Sequence, residues 1–166
     1  MSTTDNLKAA FAGESQANRK YLAFAKKAES DGFPQIAKLF RAVAEAETVH
    51  AHAHLRVLGG VKKTAENIQS AMDGEAYEFK TMYPDFLAES EKEGHRAASL
   101  TFKYALAVEK IHHDLYSKAL AASQTGKDLE TAPIYVCEVC GHTHIGLPED
   151  KCPICGAGKD RFKEIK

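Results

Sequence analysis

Two Glu-x-x-His pairs, each set into the apolar stripe of a helical segment, constrain this chain more than any other feature of its sequence. The first, Glu47 and His50, lies in AEAETVHAHAHL (residues 44–55), where the stripe reads Leu39, Val43, Glu47, His50, His54. The second, Glu109 and His112, lies in VEKIHHDLY, on the stripe Phe102, Ala105, Glu109, His112, Tyr116. Residues three apart share one face of a helix, so each pair points where its stripe points. A carboxylate taken out of water without a partner costs several kcal/mol even after relaxation. Any fold that buries these stripes must therefore bring a compensating charge to both pairs.

The helical region also repeats itself. Laying residues 13–55 over 74–116 matches Gly13 and Glu14 to Gly74 and Glu75 at an offset of 61. Tyr21/Tyr83, Phe24/Phe86, Glu29/Glu91, Gly32/Gly94, Glu47/Glu109 and His50/His112 match at an offset of 62. One residue has thus been inserted between Glu75 and Tyr83, which predicts a π-bulge there, a feature frequent at functional sites. Glu14 lies between Phe11 and Tyr21, and Glu75 follows Ile68 and Met72 on its stripe, so four helices aim carboxylates and imidazoles at one interior. Two divalent or trivalent cations would neutralise them. One Glu from each of two helices plus Glu-x-x-His from the other two is the ligand set of carboxylate di-iron bundles. Oxygen and nitrogen donors without thiolate suit iron or manganese, and zinc fits as well.

Three further residues join this constellation. Glu78 stands where the first repeat has Ala17 or Gln16, three residues after Glu75, either as an extra carboxylate ligand or as a solvated helix acid. Tyr21 shares the face of Glu14, and a bulge between 78 and 83 would turn Tyr83 back toward its own carboxylates. Both tyrosines read either as core aromatics or as hydroxyl donors to ligand carboxylates. His52, His54, His95, His113, His142 and His144 have no matched partner in the repeat and read as surface or core residues.

The breakers DGFP (31–34), GG (59–60) and EGH (93–95) divide residues 3–122 into four helices. Residues 123–132 then read as a linker, leaving 133–166 as a small tail with room for only short strands. All four cysteines lie in that tail as Cys137-x2-Cys140 and Cys152-x2-Cys155, with Gly141 and Gly156 after the pairs. Paired this way they predict a tetrathiolate metal site; spacing alone favours zinc over iron, and a neighbouring di-iron site that must be re-reduced tips the reading to iron. A net charge of −1 gives no electrostatic case for nucleic acid or an anionic membrane. The apolar runs are too short to span a bilayer and the first residues lack signal-peptide order, so a cytoplasmic protein is expected.

The motifs GESQANRKY, AETVHAHAHL, GEAYEFKTMYPDF, EKIHHDLY and CPICG, in this order, make the chain resemble the rubrerythrins. The resemblance implies a mainly α fold, a ferritin-like four-helix di-iron bundle (1–122) followed by a rubredoxin-like tetrathiolate iron domain with short β-strands (133–166). It implies Glu47 and Glu109 as bridging carboxylates, Glu14 and Glu75 as terminal ones, and His112 as a ligand of the second iron. Glu78 and His50 resemble the family's alternating ligands, carboxylate in the oxidised state and imidazole in the reduced one. The implied activity is reduction of hydrogen peroxide to water. Electrons would come through iron held by Cys137, Cys140, Cys152 and Cys155, supplied by rubredoxin or an NAD(P)H-dependent reductase. Glu75, Tyr21 or Tyr83 would relay protons.

Chain geometry adds a dimer. The link GGVKKTA reaches about 23–25 Å, whereas a helix over residues 35–58 is about 36 Å long. If the repeats are related by a twofold axis, the link is too short, which predicts a domain-swapped homodimer. Without a swap, the resemblance still implies a dimer in which each tail serves its partner's di-iron site. Two other readings remain at this level: a ferritin-like iron oxidase using oxygen, against which the tail speaks, and a zinc-ribbon interaction module on a structural bundle.

Overall fold

The structure, a computed structural model, describes residues 2–166. Helix α1 (Thr3–Ser30) starts at a capping box in which the Ser2 hydroxyl accepts from the Asp5 amide while the Asp5 carboxylate accepts from the Ser2 amide. It ends at Gly32, whose φ of +83° carries the chain through a left-handed turn closed by Phe33 N–H to the Ala28 carbonyl. Helix α2 (Pro34–Val57) begins with proline in its first turn, where a missing N–H costs nothing.

The third rod comes in three pieces: α3 (Thr64–Tyr77), a π-helical turn over Glu78–Met82, and α4 (Tyr83–Lys92). The Tyr83 amide donates to the Glu78 carbonyl five residues back. The inserted residue of the second repeat is therefore accommodated where the offset changes, inside the helix rather than in a loop. Helix α5 (Arg96–Gln124) is capped by His95, whose Nδ1 accepts from the Ala98 amide at 3.3 Å. Four helical rods result, as the breakers predict, with α5 running two residues past the expected end.

The chain divides into two compact units, residues up to Lys62 and Lys63–Lys166. In the first, α1 and α2 close over small side chains: Ala25, Ala28, Ala37, Ala44 and Ala51 are buried. The buried Asn18 amide donates to the Ala44 carbonyl and to Thr48 Oγ1, each at 2.7 Å. Tyr21, Phe24 and Phe40 form an aromatic trio with ring centres 5.7–6.2 Å apart. In the second unit α3 and α4 pack on α5, and Tyr83, Phe86 and Phe102 repeat the trio at 5.7–6.3 Å. Ser90 and Ser99, hydrogen-bonded at 2.9 Å, take the places of Ala28 and Ala37. The internal repeat is thus a repeat of packing as well as of sequence.

The tail forms a three-stranded antiparallel sheet in the order β2-β1-β3, with β1 Ile134–Cys137, β2 Thr143–Ile145 and β3 Phe162–Ile165. Ile134 pairs with both Ile145 and Ile165, and Cys137 with Phe162. Its buried residues are Cys137, His142, Pro148 and Cys152, too few to hold so short a sheet without a cross-link. Among the described residues no helix is long and apolar enough to cross a membrane.

Candidate metal centres

Each unit gathers one set of three donors. Glu14, Glu47 and His50 bring ligand atoms within 4.8 Å of one another, and so do Glu75, Glu109 and His112. The two sets share one geometry. His50 Nδ1 lies 2.9 Å from Glu47 Oε2 and 4.0 Å from Glu14 Oε1; His112 Nδ1 lies 2.7 Å from Glu109 Oε2 and 3.7 Å from Glu75 Oε2. The i,i+3 spacing sets the short contact and helix pairing sets the long one, so the same arithmetic builds both. They differ in cover: the His50 side chain is 56% exposed and that of His112 24%.

Glu78 falls outside the 4.8 Å group. It sits on the first position of the π turn, close enough for Glu75 to act on it electrostatically. Burial first, then the Glu75 charge, raises the Glu78 carboxyl above the ordinary 4.5, with His112 opposing. Glu75 is raised by burial, by its hydrogen bond with Glu109 and by the Glu109 charge, again against His112. Tyr83 is held above its usual value by burial and then by Glu78, Glu109 and Glu75, so it lies within electrostatic range of these carboxylates. Tyr21 sits in its aromatic trio. Beside Glu75 and His112 opens a cavity of about 390 Å³, walled further by Leu115, Tyr116, Leu129 and Thr143.

These raised carboxyls yield a signed expectation. A carboxyl whose pKa rises on folding favours the folded state below about pH 4.5, and that contribution is lost as pH climbs through the raised value. The metal-chelated protein should therefore melt at progressively lower temperature from the glutamate range toward neutrality, followed by circular dichroism. A double Glu75→Gln, Glu78→Gln variant should flatten the trend, and a divalent cation should reverse it by neutralising the cluster. A pH dependence identical in that double variant would contradict this account.

In the tail the four thiols form a cage. Cys137 Sγ and Cys155 Sγ are 3.7 Å apart, and Cys140 Sγ and Cys152 Sγ 3.6 Å. A disulfide requires about 2.05 Å, whereas four sulfurs placed tetrahedrally around one ion at about 2.3 Å lie roughly 3.75 Å from each other. The cage has the dimensions of a metal site. Two glycine turns build it: Gly141 (φ +82°) and Gly156 (φ +74°) donate their amides to the Cys137 and Cys152 carbonyls at 2.8 and 2.9 Å. Burial raises the Cys140 and Cys155 thiols. Burial also acts on Cys152, but amide donation from Cys155 and Ile154 and its sulfur neighbours bring it below the usual thiol value. Protons shared unevenly among crowded sulfurs are what a cation displaces. Both donor sets, carboxylate with imidazole in the helices and four thiolates in the tail, fit iron.

One contact had no signal in the sequence. His112 Nε2 lies 3.0 Å from Thr143 Oγ1, on strand β2 of the tail. The resemblance implies a tail serving the partner's site; this contact is with the chain's own α5. Thr143 sits 31 residues from His112 in a different kind of element, so neither periodicity nor motif spacing points to it.

Residues 5–120 match the family model for rubrerythrin, and residues 135–163 that for the rubredoxin-like domain of rubrerythrin. Rubrerythrin-2 of Clostridium acetobutylicum is 37% identical, with 97% of this chain and 95% of that protein aligned. Nigerythrin of Nitratidesulfovibrio vulgaris is also 37% identical, over 97% of this chain and 85% of its own length. A solved structure described as the fully reduced, all-ferrous state of nigerythrin superposes with a TM-score of 0.59 at 34% identity, covering 99% of this chain and 87% of that one. With a Glu/Glu/His set repeated on each helix pair, a four-sulfur cage in the tail, and both family models matched in order, the chain belongs to the rubrerythrin family.

Proposed function

We propose that this protein is an oxidoreductase that reduces hydrogen peroxide to water, consuming two electrons and two protons per peroxide. The observation that carries the reading is the pairing of two matched carboxylate–imidazole sets, an extra carboxylate on a π turn beside one of them, and a separate four-sulfur cage. Iron bound there supplies Lewis acidity and exchangeable electrons. Two iron ions would be held by Glu47 and Glu109 as their shared carboxylates, by Glu14 and Glu75 as carboxylates of one ion each, and by His112 as the permanent imidazole. Glu78 and His50 alternate, a role that suits the exposure of His50 and the position of Glu78 outside the tight group. Glu75 and Tyr83 relay the protons that the departing oxygens need. Tyr21 supports the first set in the same way. The cavity beside Glu75 and His112 admits a small oxidant.

Cys137, Cys140, Cys152 and Cys155 hold the iron that receives electrons from rubredoxin or from an NAD(P)H-dependent reductase in the cytoplasm. Function divides along the chain as bundle (1–122), linker (123–132) and electron-transfer domain (133–166). The test is anaerobic: the iron-loaded protein is fully reduced, mixed with peroxide or with oxygen, and followed by return of its visible bands. Fast reoxidation by peroxide and slow reoxidation by oxygen supports the reading. The reverse order favours an iron oxidase, and no visible bands at all favours the zinc module.

The working form is a domain-swapped homodimer, the first helix pair of one chain completing its bundle with the second pair of another. Two facts support this. Six residues, 58–63, join α2 to α3 and span about 20–22 Å at full extension, against about 36 Å for α2. The faces that carry the donor sets also present Phe24, Ile36, Leu39 and Phe86 to solvent. Sedimentation at micromolar concentration should give a dimer, and a dozen Gly/Ser residues inserted after Gly60 should release monomer. A monomeric unsubstituted protein removes the swap.

A further inference from the structure

The repeat makes His50 and His112 equivalent, yet the tail touches one of them. Gly141 rests on α5, where a Cβ would meet Val108 Cγ1 at 3.9 Å, and two residues on Thr143 reaches His112. The Thr143 hydroxyl has one hydrogen, which it directs to the Gly141 carbonyl at 3.4 Å. Its oxygen lies 3.0 Å from His112 Nε2 and accepts from that nitrogen whenever the ring carries its proton there. In a neutral ring the other nitrogen carries a lone pair. That nitrogen, Nδ1, faces Glu109 Oε2 at 2.7 Å and Glu75 Oε2 at 3.7 Å. Without metal, a proton on Nδ1 closes the 2.7 Å hydrogen bond to Glu109; a cation in that place leaves the ring proton on Nε2, where Thr143 accepts it.

We propose that Thr143 is a positioning residue: by accepting the His112 Nε2–H it locks the ring, aims Nδ1 at the Glu75–Glu109 carboxylates, and so makes His112 the fixed imidazole of the pair. His50, 56% exposed, is left as the one free to move. The inference deepens the proposed function and rests on its assignment of His112 as a ligand. The tail is then more than a carrier of cysteines, because seating it on α5 sets the orientation of a bundle histidine. The same bonds run from Gly141, the residue after Cys140, through Thr143 to the His112 ring, a continuous link between the sulfur cage and the carboxylate set.

The test uses the full chain loaded with zinc, which is diamagnetic, and long-range proton–nitrogen NMR on the histidine rings. The unsubstituted protein should show His112 with metal on Nδ1 and a slowly exchanging proton on Nε2. Thr143→Ser should retain that proton. Thr143→Val, equal in shape but without the hydroxyl, should lose its protection and bind cobalt(II) about 10–100-fold more weakly at one bundle site, the usual loss when a ligand's outer partner is removed. A proton on Nδ1 in the unsubstituted protein overturns the proposal even if Thr143→Val does not fold. An unchanged Nε2–H signal with unchanged cobalt affinity in Thr143→Val overturns it as well. Loss of peroxide turnover as the function, with these signals intact, would remove the peroxidase reading and leave the role of Thr143 standing.

Discussion

Replacing Glu78 with alanine will remove peroxide turnover while leaving the red ferric tetrathiolate spectrum unchanged. Glu78 occupies the start of the π turn, and its carboxyl is raised by burial and by the Glu75 charge, so it stands within electrostatic reach of the second donor set. Loss of a partner outside a metal's ligand shell usually costs about 10–100-fold; removing a carboxylate proposed to bind iron in one oxidation state should exceed that range. The sulfur cage is built from Gly141 and Gly156 turns and a three-stranded sheet, none of which involves Glu78, so its colour is the internal control. The metal-free variant should fold at least as well as the parent, because one carboxyl of a crowded cluster has gone. Single-turnover reoxidation by peroxide in stopped flow reads the outcome, and a normal rate would reject the alternating role of Glu78.

The second large effect concerns the tail. Cys152→Ser should leave the far-ultraviolet helical signal intact and make residues 134–166 accessible to protease, with loss of the visible iron bands. Cys137 and Cys152 are the most buried of the four cysteines, 1% and 3% exposed, and with His142 and Pro148 they are what the tail buries. A sheet of this size gains too little from apolar burial to offset chain entropy, whereas structural zinc contributes about 10–16 kcal/mol in finger peptides. Taking one ligand from the cage therefore removes the main source of tail stability. Electrons should then fail to reach the bundle, and turnover driven by an external reductase should stop even though chemically reduced protein still reacts once with peroxide. Limited proteolysis followed by mass spectrometry decides the structural half: a tail that stays resistant would mean that the sheet folds without its metal.

How far the sequence carries depends on the range of the interaction. Glu47 with His50 and Glu109 with His112 were legible because i,i+3 spacing on a helix fixes their distance within one element, and the structure brings each pair to 2.7–2.9 Å. Glu14 and Glu75 were legible because the repeat matched them, and each joins its set. The π turn at Glu78–Met82 was legible from a one-residue change of offset, since an insertion within a helix has few places to go. The cysteine cage followed from two CxxCG pairs, in which local turn geometry aims the sulfurs.

Other features depended on contacts between elements. The aromatic trios were only half visible, since Phe40 and Phe102 reach Tyr21 and Tyr83 through helix pairing. His142 read as an ordinary surface or core residue, and the tail buries it with both ring nitrogens lacking a hydrogen-bond partner among the described residues. The hydrogen bond between His112 and Thr143 has no periodic or motif signature at all. The sequence by itself determined the helix pairs, the matched donor sets, the bulge and the sulfur cage, because each arises from spacing along one element or one turn. Only the tertiary structure decided that the tail rests on α5 and holds one histidine of an otherwise symmetric pair, because that contact joins a strand to a helix through two side chains whose approach no local spacing encodes.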